Sequence, residues 1–235
     1  MDETTRVRLR DLLATQKALL HGVASGARAA TDAEADYRRV HSDLRQILTA
    51  EGRKCVCPWG SIHQWAASAG ARADWESVLD GLMGPYEILA GDTAEAPWRL
   101  IDYHRNGDPN DMPFTDFETG LEPHKWVILD ASLRGELAFR GPSVIDDKTK
   151  GHKMDCDTKA RPKKTVFMYK IQRGHGTGDV VLRVFFMTAP GGCLVLLHGY
   201  DKGADPGPAR ELRETAEACV RRADMVRHLA ADRRS

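Results

Sequence analysis

The sequence predicts an α+β protein in two parts. Residues 1–95 form an N-terminal helical domain. Residues 96–235 form a domain of order βααβββα, in which a small, mainly antiparallel sheet is flanked by helices. Three observations predict this. Apolar residues in the first part recur at spacings of three and four. Beyond a small, polar stretch at 91–97, the pattern becomes short runs rich in Val, Ile, Leu and Phe, bounded by Gly and Pro. The last stretch returns to helical periodicity, with Pro208 placed for a first helical turn.

Each element follows from local chemistry. Val7, Leu9, Leu12, Leu13, Leu19 and Leu20 form the stripe of a first helix that ends near Gly22 and Gly26. Thr31 or Asp32 caps a second helix, with Glu34 and Asp36 in its first turn. Tyr37, Val40, Leu44, Ile47 and Leu48 mark its apolar face, and Gly52 closes it. Two such helices joined by a short loop make an antiparallel hairpin, whose stripes would also suit a homodimer contact. Trp65, Trp75, Val78, Leu79 and Leu82 belong to one or two shorter helices. Residues 61–70 (SIHQWAASAG) fit either a packing helix or the first helix and turn of a helix-turn-helix.

In the second part, 99–104 (RLIDYH) reads as a strand and 113–121 as a short helix or turn. Residues 123–139 read as a helix with Trp126, Leu129, Leu133 and Leu137 on one stripe and Gly135 as a weak point. Pro142, Gly151 and Pro162 argue for irregular structure in the segment that follows. Residues 166–172 (VFMYKIQ), 180–188 (VVLRVFFMT) and 193–200 (CLVLLHGY) read as strands, and Pro190-Gly191-Gly192 is a turn signal between the last two. The final helix carries Leu212, Ala216, Cys219, Val220, Ala223 and Val226 as its apolar stripe.

Composition narrows the function classes. Lys+Arg and Asp+Glu are both 34 in 235 residues, which excludes a uniformly basic nucleic-acid binder but not a local patch. Residues 148–173 hold nine basic side chains against two acidic ones, Asp155 and Asp157. Such a run is either a solvated loop or a polyanion-facing patch centred on Arg161, Lys163 and Lys164. No apolar run approaches the roughly 18 residues that span a bilayer, so no membrane role is expected. The charged N-terminus lacks a signal-peptide core. Five cysteines, an odd number in a chain of this size, read as free thiols in a reducing cytoplasm. Cys55, Cys57 and His63 with His152 and Cys156 are an alternative zinc set, against unrelated thiols. The pair Cys55-x-Cys57 lacks the usual two-residue spacing, so neither a metal nor another cofactor is expected.

Three runs carry a family resemblance: LRVFFMT at 182–188, CLVLLHGYDK at 193–202, and PARELRETAEACVRRADMV at 208–226. A strand, a strand ending in His-Gly-aromatic, a Pro-containing loop and a basic-acidic helix resemble the RelE/ParE toxin superfamily. The likeness is closest to its HigB-type, phage-derived host-growth-inhibitor branch. It covers about the last 135 residues and is specific over the last 60 or so; the first 95 match no family pattern. Two departures bear on the site. The loop Asp201-Lys202-Gly203-Ala204 is poorer in Lys and Thr than the family's. Tyr169-Lys170-Ile171-Gln172 stands where a Glu-Leu-Arg run is common, with Arg173 one step late.

The resemblance implies a toxin of a toxin–antitoxin system that cleaves mRNA on the ribosome without a metal. Its partners would be the ribosome, mRNA and a small cognate antitoxin. That chemistry needs a base for the ribose 2′-OH, an acid for the leaving 5′-oxygen, and cations for the charge on the phosphate. Arg183, His198, Tyr200 and Lys202 are the catalytic candidates, and Arg161, Lys163, Lys164, Lys170 and Arg173 the RNA contacts. His198 and Tyr200 share a sheet face. An even hairpin loop puts Arg183 on that face opposite one of them, whereas an odd loop or a bulge puts it on the other side. Each has a plainer alternative: a structural Arg, a strand-end His, a core Tyr, a solvated Lys. A second functional class is a superfamily member acting by protein binding, for example on DNA gyrase. A third is a regulatory role carried by the N-terminal helices.

Overall fold

The computed structural model describes residues 2–51, 59–80, 83, 96–157, 164–175 and 178–232. The chain divides into two compact units. One comprises Met1–Ala94 with Glu122–Ala131 and Arg173–Asp179; the other comprises Glu95–Leu121, Ser132–Gln172 and Val180–Ser235.

The N-terminal unit is built on α1 (Glu3–Ala24), α2 (Ala30–Ala50), α3 (Ile62–Gly70) and a short helix α4 over 75–80. Asp2 caps α1 by accepting from the Thr5 N–H at 2.7 Å. Gly26, at φ 76°, takes the left-handed turn between α1 and α2. The cap expected at Thr31 or Asp32 falls two residues before the first of them. Ala29 precedes α2 and makes no side-chain cap, while Asp32 sits in the first turn, where its charge suits the helix dipole.

Leu9, Leu13, Leu19 and Leu20 of α1 and Tyr37, Val40, Leu44 and Leu48 of α2 are buried. The Trp65 indole N–H donates to the Leu20 carbonyl at 2.6 Å, and the Tyr37 hydroxyl donates to the Trp59 carbonyl at 2.7 Å. These bonds let two large polar-tipped rings enter a core without an unpaired donor. Ile62, Trp65 and Ala69 of α3 are buried, so α3 is a packing helix. The stripes that would have suited a homodimer are largely consumed inside this unit. Gly52, Cys55, Cys57 and Leu82 lie outside the described residues.

The second unit carries a five-stranded mixed sheet: β1 (Arg99–Asp102), β2 (Gly151–Asp157), β3 (Lys164–His175), β4 (Gly178–Ala189) and β5 (Cys193–Asp201), in spatial order β1-β5-β4-β3-β2. β1 runs parallel to β5, β2 antiparallel to β3, and β4 antiparallel to β5. The same unit holds α5 (Pro113–Thr119), a π turn (Leu133–Leu137) that contains Gly135, α7 (Ala138–Arg140), two 3₁₀ turns, and α8 (Pro208–Asp232), whereas α6 (Pro123–Ser132) is grouped almost wholly with the N-terminal unit. The order is thus βααββββα, counting α6, the π turn and α7 as one run, with one strand more than expected. The irregular structure expected here from Pro142, Gly151 and Pro162 gives way to a strand over Gly151–Asp157. Its period is two: Met154 and Cys156 pack on the core, while Lys153 and Asp157 are exposed.

The sheet core is Tyr103, Val166, Met168, Phe185, Met187, Val195, Leu197 and Ala218. The last of these lies on α8, which departs from the predicted stripe. Leu212 (74% exposed), Val220 (62%) and Val226 (40%) face away from the sheet. Ala218, Cys219 and Met225 face it, along with Glu211, Glu214 and Asp224. Two causes turn the helix this way. The sheet face beneath carries polar side chains that need charged partners, and a disulfide joins Cys219 to Cys156 of β2. That bond also corrects the expectation of free thiols. Among the described residues only Cys193 is a free cysteine, and it is buried. No described helix is long and apolar enough to cross a membrane.

Asp224 anchors the C-terminal half of α8. Its Oδ2 accepts from the Tyr103 hydroxyl at 2.5 Å and from the Asn106 N–H at 3.1 Å, and its Oδ1 accepts from Arg227 at 2.9 Å. Desolvation opposes its ionisation, but these three bonds prevail and hold the carboxyl below its usual range. Asp224→Ala strands the buried Tyr103 hydroxyl and removes the bond from the Asn106 N–H, and is expected to cost about 1–3 kcal/mol. A urea titration reads this as a lower midpoint with an unchanged slope.

Candidate functional site

The hairpin of β4 and β5 settles the parity question by two slips that cancel. Ala189 pairs with Cys193, so the loop is the three residues 190–192, an odd number. Gly191 (φ 76°) and Gly192 (φ 68°) supply its left-handed conformations. That register persists to Phe186↔Leu196. A β-bulge then shifts it, giving Phe185↔His198 and Arg183↔Tyr200. Either slip alone would have put Arg183 on the far side. Both together set it directly opposite Tyr200, on the face where His198 also lies.

This face is buried. Arg183 is 6% exposed, and His198 and Tyr200 are 3% each. The Phe185 ring stacks on His198 at 4.7 Å between centroids and lies 6.1 Å from Tyr200. The Arg210 guanidinium of α8 sits 5.0 Å over the Tyr200 ring. Arg183 Nη1 donates to the Leu182 carbonyl at 3.0 Å, while its Nε and the Tyr200 hydroxyl have no hydrogen-bond partner among the described residues. His198 Nε2 lies 3.2 Å from Glu214 Oε2, outside hydrogen-bond geometry, and its Nδ1 is unpaired. Lys202 Nζ, just past β5, is 2.6 Å from Glu211 Oε2.

The electrostatics follow from burial among charges. Burial pushes His198 below the usual imidazole range, against the pull of Glu214, so it is uncharged at neutral pH. His152 of β2 is pushed down by burial and by Lys170, with Arg183 and Lys202 adding to the effect and Glu211 opposing it. Tyr200 is pushed up to about 12 by burial and the Glu211 carboxylate. Glu211 is held low chiefly by its bond from Lys202, with help from Arg183 and His152. Glu214 is held low by His198 and Arg210. The result is two neutral imidazoles and three cations at one end of the sheet, covered by two α8 carboxylates. Such a set can hold an anion and move a proton beside it.

The predicted residues thus separate into groups. Arg183, His198, Tyr200, Lys202 and Lys170 are brought to one face. Lys164 pairs with Asp157 at 3.8 Å, six residues along β3 from Lys170, or about 20 Å at strand rise. Arg173 belongs to the N-terminal unit. Arg161 and Lys163 lie outside the described residues. The basic run of 148–173 is therefore divided among elements. In the zinc set, Cys156 is committed to its disulfide. Among the described residues no group of three or more His, Cys, Asp and Glu is placed to hold a metal ion.

Four members of the site were missed as such: His152, Arg210, Glu211 and Glu214. His152 had a signal, since it shares the period of Met154 and Cys156. Glu211 and Glu214 are three apart, hence on one face of a helix, but the helix was expected to turn that face to solvent.

Comparison with family models, with curated proteins and with solved structures gives no match.

Proposed function

We propose that the chain is a toxin of the RelE/ParE type, a ribosome-dependent, metal-independent endoribonuclease acting on mRNA, with the second unit as its RelE-like domain. The observation that carries this reading is the pairing of Arg183 with Tyr200 beside His198, ringed by His152, Lys170 and Lys202. A neutral imidazole is the form that can take the 2′-OH proton. Arg183 and the two lysines are suited to a phosphate that gains negative charge in the transition state. A Tyr200 whose pKa is raised keeps its proton at neutral pH and can donate it to a leaving oxygen. An mRNA reaches these groups only when the first turns of α8 are moved aside. Ribosome, mRNA and a small neutralising antitoxin are the partners this reading requires.

Purified protein added to translating ribosomes with end-labelled mRNA is expected to give new 5′ ends that are absent without ribosomes. If the mRNA stays intact while growth is still arrested, the endonuclease reading fails. One observation favours a second reading in that case: the outward Leu212, Val220 and Val226 of α8 offer an apolar surface to a protein target. Inhibition of a protein such as gyrase would then appear as DNA-damage signalling.

A further inference from the structure

We infer that α8 is a redox-latched cover: the Cys156–Cys219 disulfide holds Glu211 and Glu214 over the cation cluster in place of an anionic ligand, and reduction of that bond uncovers the cluster. The inference rests on the anion-binding reading of the face given above.

The two halves of α8 are held differently. The C-terminal half is tied by Asp224 to Tyr103 and Asn106, by the Arg222 Nε–H to the Thr165 carbonyl at 2.9 Å, and by Arg221 to the Leu197 carbonyl at 3.2 Å. Before Cys219, Ala218 is the one fully buried apolar side chain of α8, and Leu212 points to solvent. What holds residues 208–217 is polar: Lys202 on Glu211 and the Arg210 guanidinium over the Tyr200 ring, with Glu214 3.2 Å from the His198 imidazole and the Thr215 hydroxyl, which donates to the Glu211 carbonyl, 3.4 Å from the Met154 sulfur. The disulfide lies at the junction, between β2 and the end of this loosely held half. Apolar burial is what normally keeps a helix on a sheet, and here little of it acts. A covalent bond takes its place.

The carboxylates are set as an anion would be. Glu211 meets Lys202 directly and interacts with Arg183 and His152; Glu214 meets His198 and Arg210. Beneath them, the unpaired Arg183 Nε and Tyr200 hydroxyl are buried polar atoms that a larger anion would satisfy. The switching chemistry is a two-electron exchange with a dithiol. Its thiolate attacks one sulfur of the pair, and the mixed disulfide is resolved by its second thiol. Cys156 and Cys219 are released as thiols, and the dithiol closes to its own disulfide.

The test uses the full chain, oxidised or reduced with dithiothreitol, with alkylation of Cys156 and Cys219 confirming each state. Reduction is expected to raise amide exchange over residues 208–217 by about tenfold or more while 221–230 changes little. Reduced protein is also expected to bind tripolyphosphate at least about tenfold more tightly than oxidised protein. Cys219→Ser should behave as reduced protein without reductant; chemical reduction of the native chain serves if that variant fails to fold. Unchanged exchange over 208–217 overturns the latch. Faster exchange with equal tripolyphosphate affinity in both states overturns the role of the carboxylates. Intact mRNA from reduced protein that binds tripolyphosphate counts against the endonuclease reading alone.

Discussion

Arg183→Ala is expected to lower ribosome-dependent mRNA cleavage by about 10²–10³-fold, the range typical for removal of one preorganised group that stabilises transition-state charge. The reason lies in where the guanidinium sits. It is buried, so its charge acts in a medium of low effective dielectric, and among the described residues its hydrogen bond is to the neighbouring Leu182 carbonyl. Its Nε–H has no partner among the described residues and is available to a phosphate. Arg183→Lys keeps the charge but loses the planar fork, and should fall between native and alanine. Because alanine at a buried position also leaves a cavity, a companion change separates chemistry from folding. Tyr200→Phe removes a hydroxyl that has no partner, so it should leave the melting temperature nearly unchanged while lowering cleavage. Full cleavage activity in both variants, measured by primer extension on the same mRNA, would remove these residues from the mechanism.

The sequence made the site legible only where local rules govern. The strand around Arg183 and the strand ending His198-Gly199-Tyr200 are visible from β-branched and aromatic runs, and period two puts His198 with Tyr200. Whether Arg183 joins them depends on a loop length and a bulge, and no propensity marks Leu197 as the extra residue. The hairpin reaches the expected geometry by a route that an even-loop argument does not contain. β2 is hidden for a different reason: Pro142, Gly151 and Pro162 signal irregular structure, although Met154 and Cys156 lie two apart in the phase of an inward face. α8 failed because an apolar stripe normally turns inward. Here the sheet offers Arg183 and Lys202, and setting Glu211 on Lys202 and near Arg183 outweighs burying Leu212 and Val220. A helix orientation set by the polarity of its partner cannot be read from the helix alone.

Gly199→Ala is expected to be the most damaging single methyl in this unit's site, costing about 3 kcal/mol, at the upper end of overpacking changes. Gly199 lies between His198 and Tyr200, so its missing side chain points to the opposite face of the sheet, where α5 packs. A Cβ there would stand 2.3 and 2.4 Å from two ring atoms of Phe117 and 3.0 Å from the Arg183 carbonyl. The ring can shift, but the carbonyl belongs to the β4 backbone, paired to β5 on both sides of this point through Arg183↔Tyr200 and Phe185↔His198. Relief therefore requires either moving α5 or opening the ladder beside the bulge, and the second would slide Arg183 away from Tyr200. A double-mutant cycle decides between them. If the ring is the obstacle, Phe117→Leu should return more than about 1 kcal/mol of the loss in the Gly199→Ala background while costing stability on its own. If the backbone contact dominates, the two changes add, and cleavage activity stays low even where the folded state is recovered at low temperature. Native-like urea midpoints for Gly199→Ala alone would mean that β5 has slack at this residue, and that the cancelling slips hold Arg183 opposite Tyr200 less firmly than the register implies.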